Sequence, residues 1–381
     1  MSELAVLHLT RDLPPGGQGG VSVAVAAFRE AIGAVGARQA VLSFDGWRPL
    51  RSPELVHAAP VRATPDALGP IWRLAAPGAL TAAMATAGAW LEAAHAAGCR
   101  TWVLLHADLL AEPALALARS HGAGFAVYAH VLQGEQRRIH GLAEATASER
   151  AQGEALTAAD LVFAPSRWAA ARLGVLADAP IVVWPPPLAA RAFEEAGTVR
   201  VAGEPRLLYL GRFDAIKGFD VLLEALPSVM AAFPGLRPVL AGGLPHSSKG
   251  ERRWRRRIDA ALGAGRVELP GFLDHGAALA AIAAADVVVV PSRLETFGLV
   301  AEEAMAAGKC VVAAAAGALG ERLRDGEDSL VVPAGDAGAT AAALRLALGD
   351  GGLRGRLGAC ARAAGLERRT AAWVPEDLTK A

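Results

Sequence analysis

Lysine is scarce in this chain of 381 residues: of its 38 basic residues only Lys217, Lys249, Lys309 and Lys380 are lysines, the rest being arginine. Nor is there an excess of either charge, since 38 Lys+Arg stand against 38 Asp+Glu and the formal net charge is +0. A dedicated nucleic-acid binder would carry a basic face, and cutting the chain near Leu188 reveals no basic half masked by an acidic one. The one basic cluster, Arg252-Arg253-Trp254-Arg255-Arg256-Arg257, reads as the solvated face of a surface helix. Three cysteines, Cys99, Cys310 and Cys360, are too few and too scattered for a disulfide framework or a zinc site. They are expected to be reduced, buried thiols of a cytoplasmic protein. The opening MSELAVLHLT has neither the basic segment nor the apolar core of a secretory signal. Long apolar runs are also missing. The uncharged stretch from Arg73 to Glu92 is mostly Ala, is interrupted by Pro77, Gly78 and Gly88, and reads as a soluble helix. Aromatics are only 5% against 53% hydrophobic residues, so the core is built of Ala, Val and Leu, which suits buried parallel strands between helices.

What is present is alternation. Strand-like runs at Leu4–Thr10, Gln39–Phe44, Trp102–His106, Phe125–His130, Leu161–Ala164 and Ile181–Trp184 are separated by several helical segments. The pattern stops at Pro185-Pro186-Pro187, passes through an aperiodic linker, and restarts. Arg206–Leu210, Arg237–Ala241, Arg266–Leu269, Asp286–Val290, Cys310–Ala314 and Leu330–Val332 are the second set of strands. This spacing predicts two doubly wound parallel-sheet domains facing across a cleft, residues 1–188 and 189–365, and a helical tail, 366–381. In such sheets ligands bind beyond the carboxyl ends of strands, so the strand-to-helix loops are where chemistry is expected.

Four of these loops carry suggestive residues. The first, Arg11–Gly20, places Gly19-Gly20 before a helix start, where backbone amides attract anions. It fails as a dinucleotide fingerprint because Ser22 stands where that motif needs its last glycine. The second, GRFDAIKG, sends Arg212 and Lys217 out of one strand end; a planar fork and a point charge together suit a diphosphate. In the third, Glu295 precedes a helix that begins near Gly298–Leu299, and the amides of Phe297, Gly298, Leu299 and Val300 form an anion-attracting helix start. Glu303 lies about one turn inside, where a carboxylate takes both hydroxyls of a ribose; its neighbour Glu302 is expected to be solvated. The fourth is a pair of strand ends bearing His106, with Asp108 close by, and His130. A lone histidine there is usually a packing residue, but two at neighbouring ends suggest a site.

Together these residues resemble the family 4 retaining glycosyltransferases of the GT-B fold, the glycosyl transferases group 1. The resemblance covers essentially the whole chain and is strongest from Arg206 to Asp336. The family's E-x7-E motif is matched by Glu295 and Glu303 within ETFGLVAEEAMAAGK, and its phosphate-binding pair by Arg212 and Lys217. Asp286, DGEDSLVVPAGD, Lys309, the glycines 19 and 20, His130, Asp160 and Ser166 also match. The chain departs from the pattern in having Trp184-Pro185-Pro186-Pro187 where relatives usually have an Asn-Gly turn, and Ala318 where a second glycine is usual.

The resemblance implies transfer of a sugar from a nucleoside diphosphate, of UDP or GDP type, to an acceptor hydroxyl with retained configuration. Arg212, Lys217 and the amides of residues 297–300 would hold the diphosphate, Glu303 the ribose, and Glu295 and His130 the transferred sugar. Gly19 and Gly20 would close over the donor, and His106 and Asp108 are candidates for sugar or acceptor. No Asp-x-Asp occurs, so no metal and no cofactor are expected. Partners are the nucleotide sugar and a small-molecule or glycan acceptor, with no nucleic acid and at most peripheral membrane association. Three alternatives stay open. A non-hydrolysing nucleotide-sugar epimerase of the same fold would need no acceptor. A retaining glycosidase would use two carboxylates about 5 Å apart. A dinucleotide-dependent oxidoreductase would prefer NAD.

Overall fold

The computed structural model describes residues 3–11, 19–43, 62–64, 69, 71–73, 80–188, 205–243, 248–367 and 374–379. Residues 14–18 of the first Gly-rich loop and the linker up to residue 204 lie outside the described residues. By internal packing the chain divides into two compact units, Met1–Arg137 with Ala143–Pro187 and Thr370–Ala381, and Arg138–Leu142 with Leu188–Arg369.

The first unit is built on β1 (Leu4–Thr10), β2 (Arg38–Ser43), β3 (Arg62–Thr64), β4 (Ile71–Arg73), β5 (Arg100–Leu105), β6 (Gly124–Tyr128), β7 (Leu161–Ala164) and β8 (Ile181–Val183). They form an eight-stranded sheet in the order β3-β4-β2-β1-β5-β6-β7-β8. Every pairing is parallel except that of β3 with β4. Those two strands escape sequence reading because RAT and IWR lack the apolar run that marks the equally short IVV of β8 and LVV of β14. Side chains alternate between two buried faces, as a parallel sheet covered on both sides requires. Leu7, Leu9, Val103, Leu105, Phe125 and Val127 face the helices Leu80–Ala96, Ala111–Ser120 and Ala147–Ala158. Val6, Leu104, Ala126, Tyr128 and Phe163 face Phe28 and Ile32 of the helix Gly20–Ala34, together with Trp184 and Leu378. From Leu80 onward the uncharged stretch belongs to the helix Leu80–Ala96, and among the described residues no helix is long and apolar enough to cross a membrane.

The second unit carries β9 (Leu207–Arg212), β10 (Val239–Gly243), β11 (Glu268–Gly271), β12 (Val287–Val290), β13 (Cys310–Ala314) and β14 (Leu330–Val332). The six strands are all parallel, in the order β11-β10-β9-β12-β13-β14. The Asp286 carboxylate accepts from the Arg206 amide at 2.8 Å, tying the starts of two central strands together. On the helix Ser248–Leu262 the five arginines of the basic cluster are exposed, and Arg257 lies 4.2 Å over the ring of Trp254. Cys99 and Cys310 are buried free thiols, but Cys360 is exposed. The expectation of three buried thiols is corrected at Cys360, which lies on the outward side of the helix Gly351–Glu367.

Both sheets reverse their winding direction once. The chain runs from β1 to β2 on one side and returns to place β5 on the other; likewise β10 and β11 lie to one side of β9, and β12 to β14 to the other. At such switch points the loops leaving two adjacent strands diverge and open a crevice at the carboxyl ends. Arg212 and the loop after β12 lie at one switch point, and His8 and His106 at the other.

Candidate functional site

In the second unit two loops at the β9/β12 switch point are fastened to each other. The Arg293 amide donates to the Ile216 carbonyl at 2.8 Å, and the Arg293 guanidinium donates to the Ala215 carbonyl and to both oxygens of Asp220 at 2.7 and 2.8 Å. This bidentate pair raises the Arg293 pKa and, against the opposing effect of burial, holds the Asp220 carboxyl below its usual range. Gly218 follows Lys217 with φ 63°. A Cβ there would collide with the Pro291 carbonyl, so the close approach of the loops requires glycine.

That clamp brings together the cations and the first carboxylate of the motif. Lys217 Nζ donates to Glu295 Oε1 at 2.7 Å, and Ser292 Oγ donates to the same oxygen at 2.7 Å. Arg212 Nε donates to Asp214 Oδ2 at 2.6 Å, while Asp214 Oδ1 accepts from the Lys217 amide at 2.9 Å. Asp214 therefore fixes the loop between the two cations. The buried Tyr209 hydroxyl holds the Arg212 carbonyl at 2.6 Å, and burial pushes that phenol well above its ordinary pKa. Arg212 remains 41% exposed and Lys217 29% exposed, so both present charge to solvent rather than to the core.

The helix Leu299–Ala306 starts beside Glu295. Gly298 at its N-cap has φ 92° and no side chain to cover the first amides, so the positive end of the helix is left to attract an anion. The loop 316–318 closes from the other side. Ala318, where a glycine is usual in relatives, donates its amide to the Glu295 carbonyl at 2.9 Å, and a Cβ at Gly317 would strike that same carbonyl.

Glu303 is 4% exposed and accepts from His275 Nε2 at 2.7 Å. His275 opens the helix His275–Ala284 behind its cap Asp274, and the hydrogen bond to Glu303 raises the histidine's pKa despite partial burial. Nothing in the sequence paired these two residues. Glu302 is not solvated as expected: it is 1% exposed and paired with Arg322 at 2.6 Å. The guanidinium of Arg322 also lies 4.5 Å over the ring of Phe297. On so short a helix both consecutive glutamates are drawn inward, each to a cation or potential cation from a different element. Lys309 is fully buried and donates to the Ala283 carbonyl at 2.6 Å, with its pKa lowered by burial. It braces the C-terminal end of the helix His275–Ala284.

In the first unit His106 and His130 are brought together, His106 Nδ1 to His130 Nε2 at 2.8 Å. Sequence reasoning missed the continuation: His106 Nε2 lies 3.1 Å from His8 Nδ1, and His8 Nε2 lies 3.1 Å from Gln39 Oε1. The available signal was His8 itself, an imidazole in an otherwise apolar strand. His8 and His106 are buried and His130 is partly so. Burial lowers the pKa of His8 and of His130 to about 3, and that of His106 well below its usual value. Asp108 is not joined to the histidines. Its carboxylate accepts from Gln133 at 2.6 Å and Gln152 at 3.1 Å, and burial raises its pKa. Gly19 is the N-cap of the helix Gly20–Ala34, with both glycines of the pair exposed. Asp160 accepts from the Phe125 amide and from Arg119, and Ser166 caps the helix Arg167–Leu173; both are structural.

Residues 191–364, which lie in the second unit, match the family model described as glycosyl transferases group 1. The chain is 40% identical over 163 residues to a phosphatidyl-myo-inositol mannosyltransferase of Mycobacterium leprae, a match covering 41% of this chain and 42% of the relative. It thus spans under half the length of that curated relative. Among solved structures it is similar to a sucrose-phosphate synthase of Thermosynechococcus elongatus, with TM-score 0.76, 24% identity and coverage of 96% and 94% of the two chains. It is also similar to Anabaena HepE in complex with UDP and glucose, with TM-score 0.73, 18% identity and coverage of 96% and 95%. At these identities the likeness is one of fold, and the fold is GT-B.

Proposed function

We propose that the protein is a retaining, metal-independent glycosyltransferase that takes its sugar from a nucleoside diphosphate and passes it to an acceptor hydroxyl. The observation that carries this reading is the Lys217–Glu295 pair at 2.7 Å, set beside Arg212 and an uncovered helix start at one switch point. As the glycosidic bond of the donor lengthens, negative charge builds on the departing diphosphate and the sugar becomes oxocarbenium-like. Preorganised cations and amides stabilise that charge where it develops, an effect of several kcal/mol. Arg212, Lys217 and the amides of residues 297–300 serve the diphosphate, and Glu303, steadied by His275, serves the ribose. Glu295 and His130 serve the transferred sugar, and Gly19-Gly20 closes over the donor. Retention follows if an oxygen of the leaving phosphate takes the acceptor's proton on the same face, so no side-chain base is assigned. The HepE complex with UDP and glucose supports a UDP-type donor, and a cytoplasmic setting accords with such donors.

A glycosidase needs one of its two carboxyls protonated at neutral pH. Here Glu295 is engaged by Lys217 and Glu303 by His275, each at 2.7 Å, so the two carboxyls are committed to different partners and not to a shared proton donor and nucleophile arrangement. The test is thermal-shift screening against UDP, GDP and their sugars, followed by release of nucleoside diphosphate with and without candidate acceptors. Stabilisation by one nucleotide class and acceptor-dependent release are expected. Conversion of a nucleotide sugar without acceptor would indicate the epimerase, and stabilisation by none would overturn the reading.

A further inference from the structure

Gln39, His8, His106 and His130 form a staircase that crosses four adjacent parallel strands. In the sheet register His8 lies opposite Val41 and Leu104, and Leu104 lies opposite Ala126. Gln39 is therefore two residues short of His8's partner on β2, and His106 two residues beyond its partner on β5. His130 is likewise two beyond Tyr128, the position facing His106 in the β6 register. Each step moves one strand over and two residues along, which keeps every side chain on one face and within diagonal reach. Phe28 and Tyr128 pack against the rings on that face, backed by Trp184: Phe28 lies 6.3 Å from His106 and Tyr128 lies 4.3 Å from His130 between ring centres.

The direction of the chain of hydrogen bonds is fixed at one end. The Gln39 amide nitrogen donates to the Arg29 carbonyl at 2.9 Å. Since a carbonyl only accepts, the other side-chain atom, facing His8, must be the amide oxygen, which also only accepts. His8 must then carry its proton on Nε2, leaving Nδ1 to accept from His106 Nε2–H, whose own Nδ1 accepts from His130 Nε2–H. A neutral imidazole has one donor and one acceptor nitrogen, so the orientation passes unchanged along all three rings.

We propose that this relay fixes the tautomer of His130, holding its proton on Nε2 and making Nδ1 a hydrogen-bond acceptor, with His8 and Gln39 as positioning residues that act through His106. The matching ligand group is a hydroxyl donor of a sugar, and this step rests on the assignment of His130 to the transferred sugar. An acceptor nitrogen leaves electron density on the hydroxyl it holds, which suits a sugar becoming cationic. An imidazolium, or the opposite tautomer presenting N–H, would oppose that charge. Burial of the rings keeps them uncharged at neutral pH. Arg29 from the helix Gly20–Ala34 faces His8, and its charge also disfavours protonation of that ring.

The test is 15N NMR of the full chain with labelled histidine, its nine histidine signals assigned by single variants. For His8, His106 and His130 the expected result is one neutral tautomer each, protonated at Nε2, from pH 6.5 to 8. His8→Leu removes the acceptor that orients His106 and should move the two nitrogen shifts of His130 toward the average of both tautomers. His8→Gln restores an acceptor facing His106 and a donor facing Gln39, and should return the single tautomer. If His8→Leu fails to fold, Gln39→Leu removes the fixed end and reads the same change. In turnover, His8→Leu should lower kcat about tenfold while leaving the affinity for UDP or GDP unchanged, with recovery in His8→Gln. Protonation of His130 at Nδ1 in the wild type, or a His130 signal insensitive to both leucine variants, would overturn the relay. The expected NMR pattern in a wild-type protein that turns over no nucleotide sugar would instead overturn the proposed function and leave the relay standing.

Discussion

Lys217 and Glu295 are 78 positions apart in the chain, yet the ammonium of one donates to the carboxylate of the other at 2.7 Å. Two loops from adjacent strands meet there because Arg293 clamps Asp220 and the 215–216 carbonyls. The pair has a functional cost and benefit. On the proposed function, Glu295 would neutralise the cation until a diphosphate competes for it, and it would hold the ammonium in place so that little reorganisation is needed.

Replacing Lys217 by Ala is therefore expected to lower kcat/KM for the donor by about 100- to 1,000-fold, the range found when one preorganised charge stabiliser is lost. Glu295→Gln should separate the two roles. With its counter-charge gone, Lys217 is expected to bind free nucleoside diphosphate more tightly by calorimetry, while turnover falls. A Glu295→Gln protein that binds UDP and GDP more weakly would show that the carboxylate itself helps to hold the nucleotide.

The glycines at the loop ends give a backbone version of the same experiment. Gly218 and Gly298 have φ 63° and 92°, and a Cβ at each would meet the Pro291 carbonyl or the Leu319 side chain. Gly218→Ala is expected to cost more than about 1 kcal/mol, since alanine at positive φ is strained even without a clash. Chemical denaturation measures that loss. Donor affinity should fall with it, because Lys217 is the adjacent residue.

Much of this was legible in the sequence. Alternating apolar runs located the strands of both sheets to within a residue or two, except β3 and β4. Arg212, Lys217, Glu295 and Glu303 could be selected because loops at strand ends accumulate charge for only a few reasons. What the sequence hid was pairing between distant elements: Arg293 with Asp220, His275 with Glu303, Arg322 with Glu302. Each partner sits in a separate helix or loop, with no spacing rule connecting it to the other. Glu302 was misread for this reason, since a glutamate on a short helix is normally solvated unless a cation from another element reaches it.

The His275–Glu303 contact makes a pH-dependent contribution to stability. Its folded-state pKa is raised, so the folded protein holds a proton that the unfolded chain releases near pH 6.5. The stabilisation is full below that pH and is lost as pH rises through the raised value. His275→Ala should cost about 1 to 3 kcal/mol at pH 6, because a buried carboxylate loses its partner, and less at pH 9. Urea melts at the two pH values decide it; equal losses would mean that His275 is neutral in the fold throughout.

Arg322 braces the start of the helix Leu299–Ala306. It closes the buried charge of Glu302 and lies over Phe297 at the start of the motif helix. Arg322→Ala is expected to destabilise the protein by about 3 kcal/mol, as removal of one partner of a buried ion pair does. The double variant Arg322→Met with Glu302→Gln should recover most of that loss, since no uncompensated carboxylate remains. If the single and double variants are equally unstable, the packing of the guanidinium on Phe297 is the larger contribution.

The buried histidines have the opposite sign to His275. The pKa of His8 in the folded protein is about 3, against about 6.5 in an unfolded chain. Below pH 6.5 the unfolded chain binds protons that the folded ring refuses, so stability present above that pH is lost as pH falls toward 3. One such ring costs about 2 kcal/mol at pH 5, and His106, also buried with its pKa lowered, adds to the loss. The protein should therefore show a falling urea midpoint between pH 7 and pH 5, with helix and sheet signals lost together. In His8→Leu the slope of stability against pH should be shallower by up to about 1.4 kcal/mol per pH unit, one proton's worth. An unchanged slope would mean that His8 admits a proton in the folded state, and a ring able to take up that proton could not hold the His106 tautomer in one orientation.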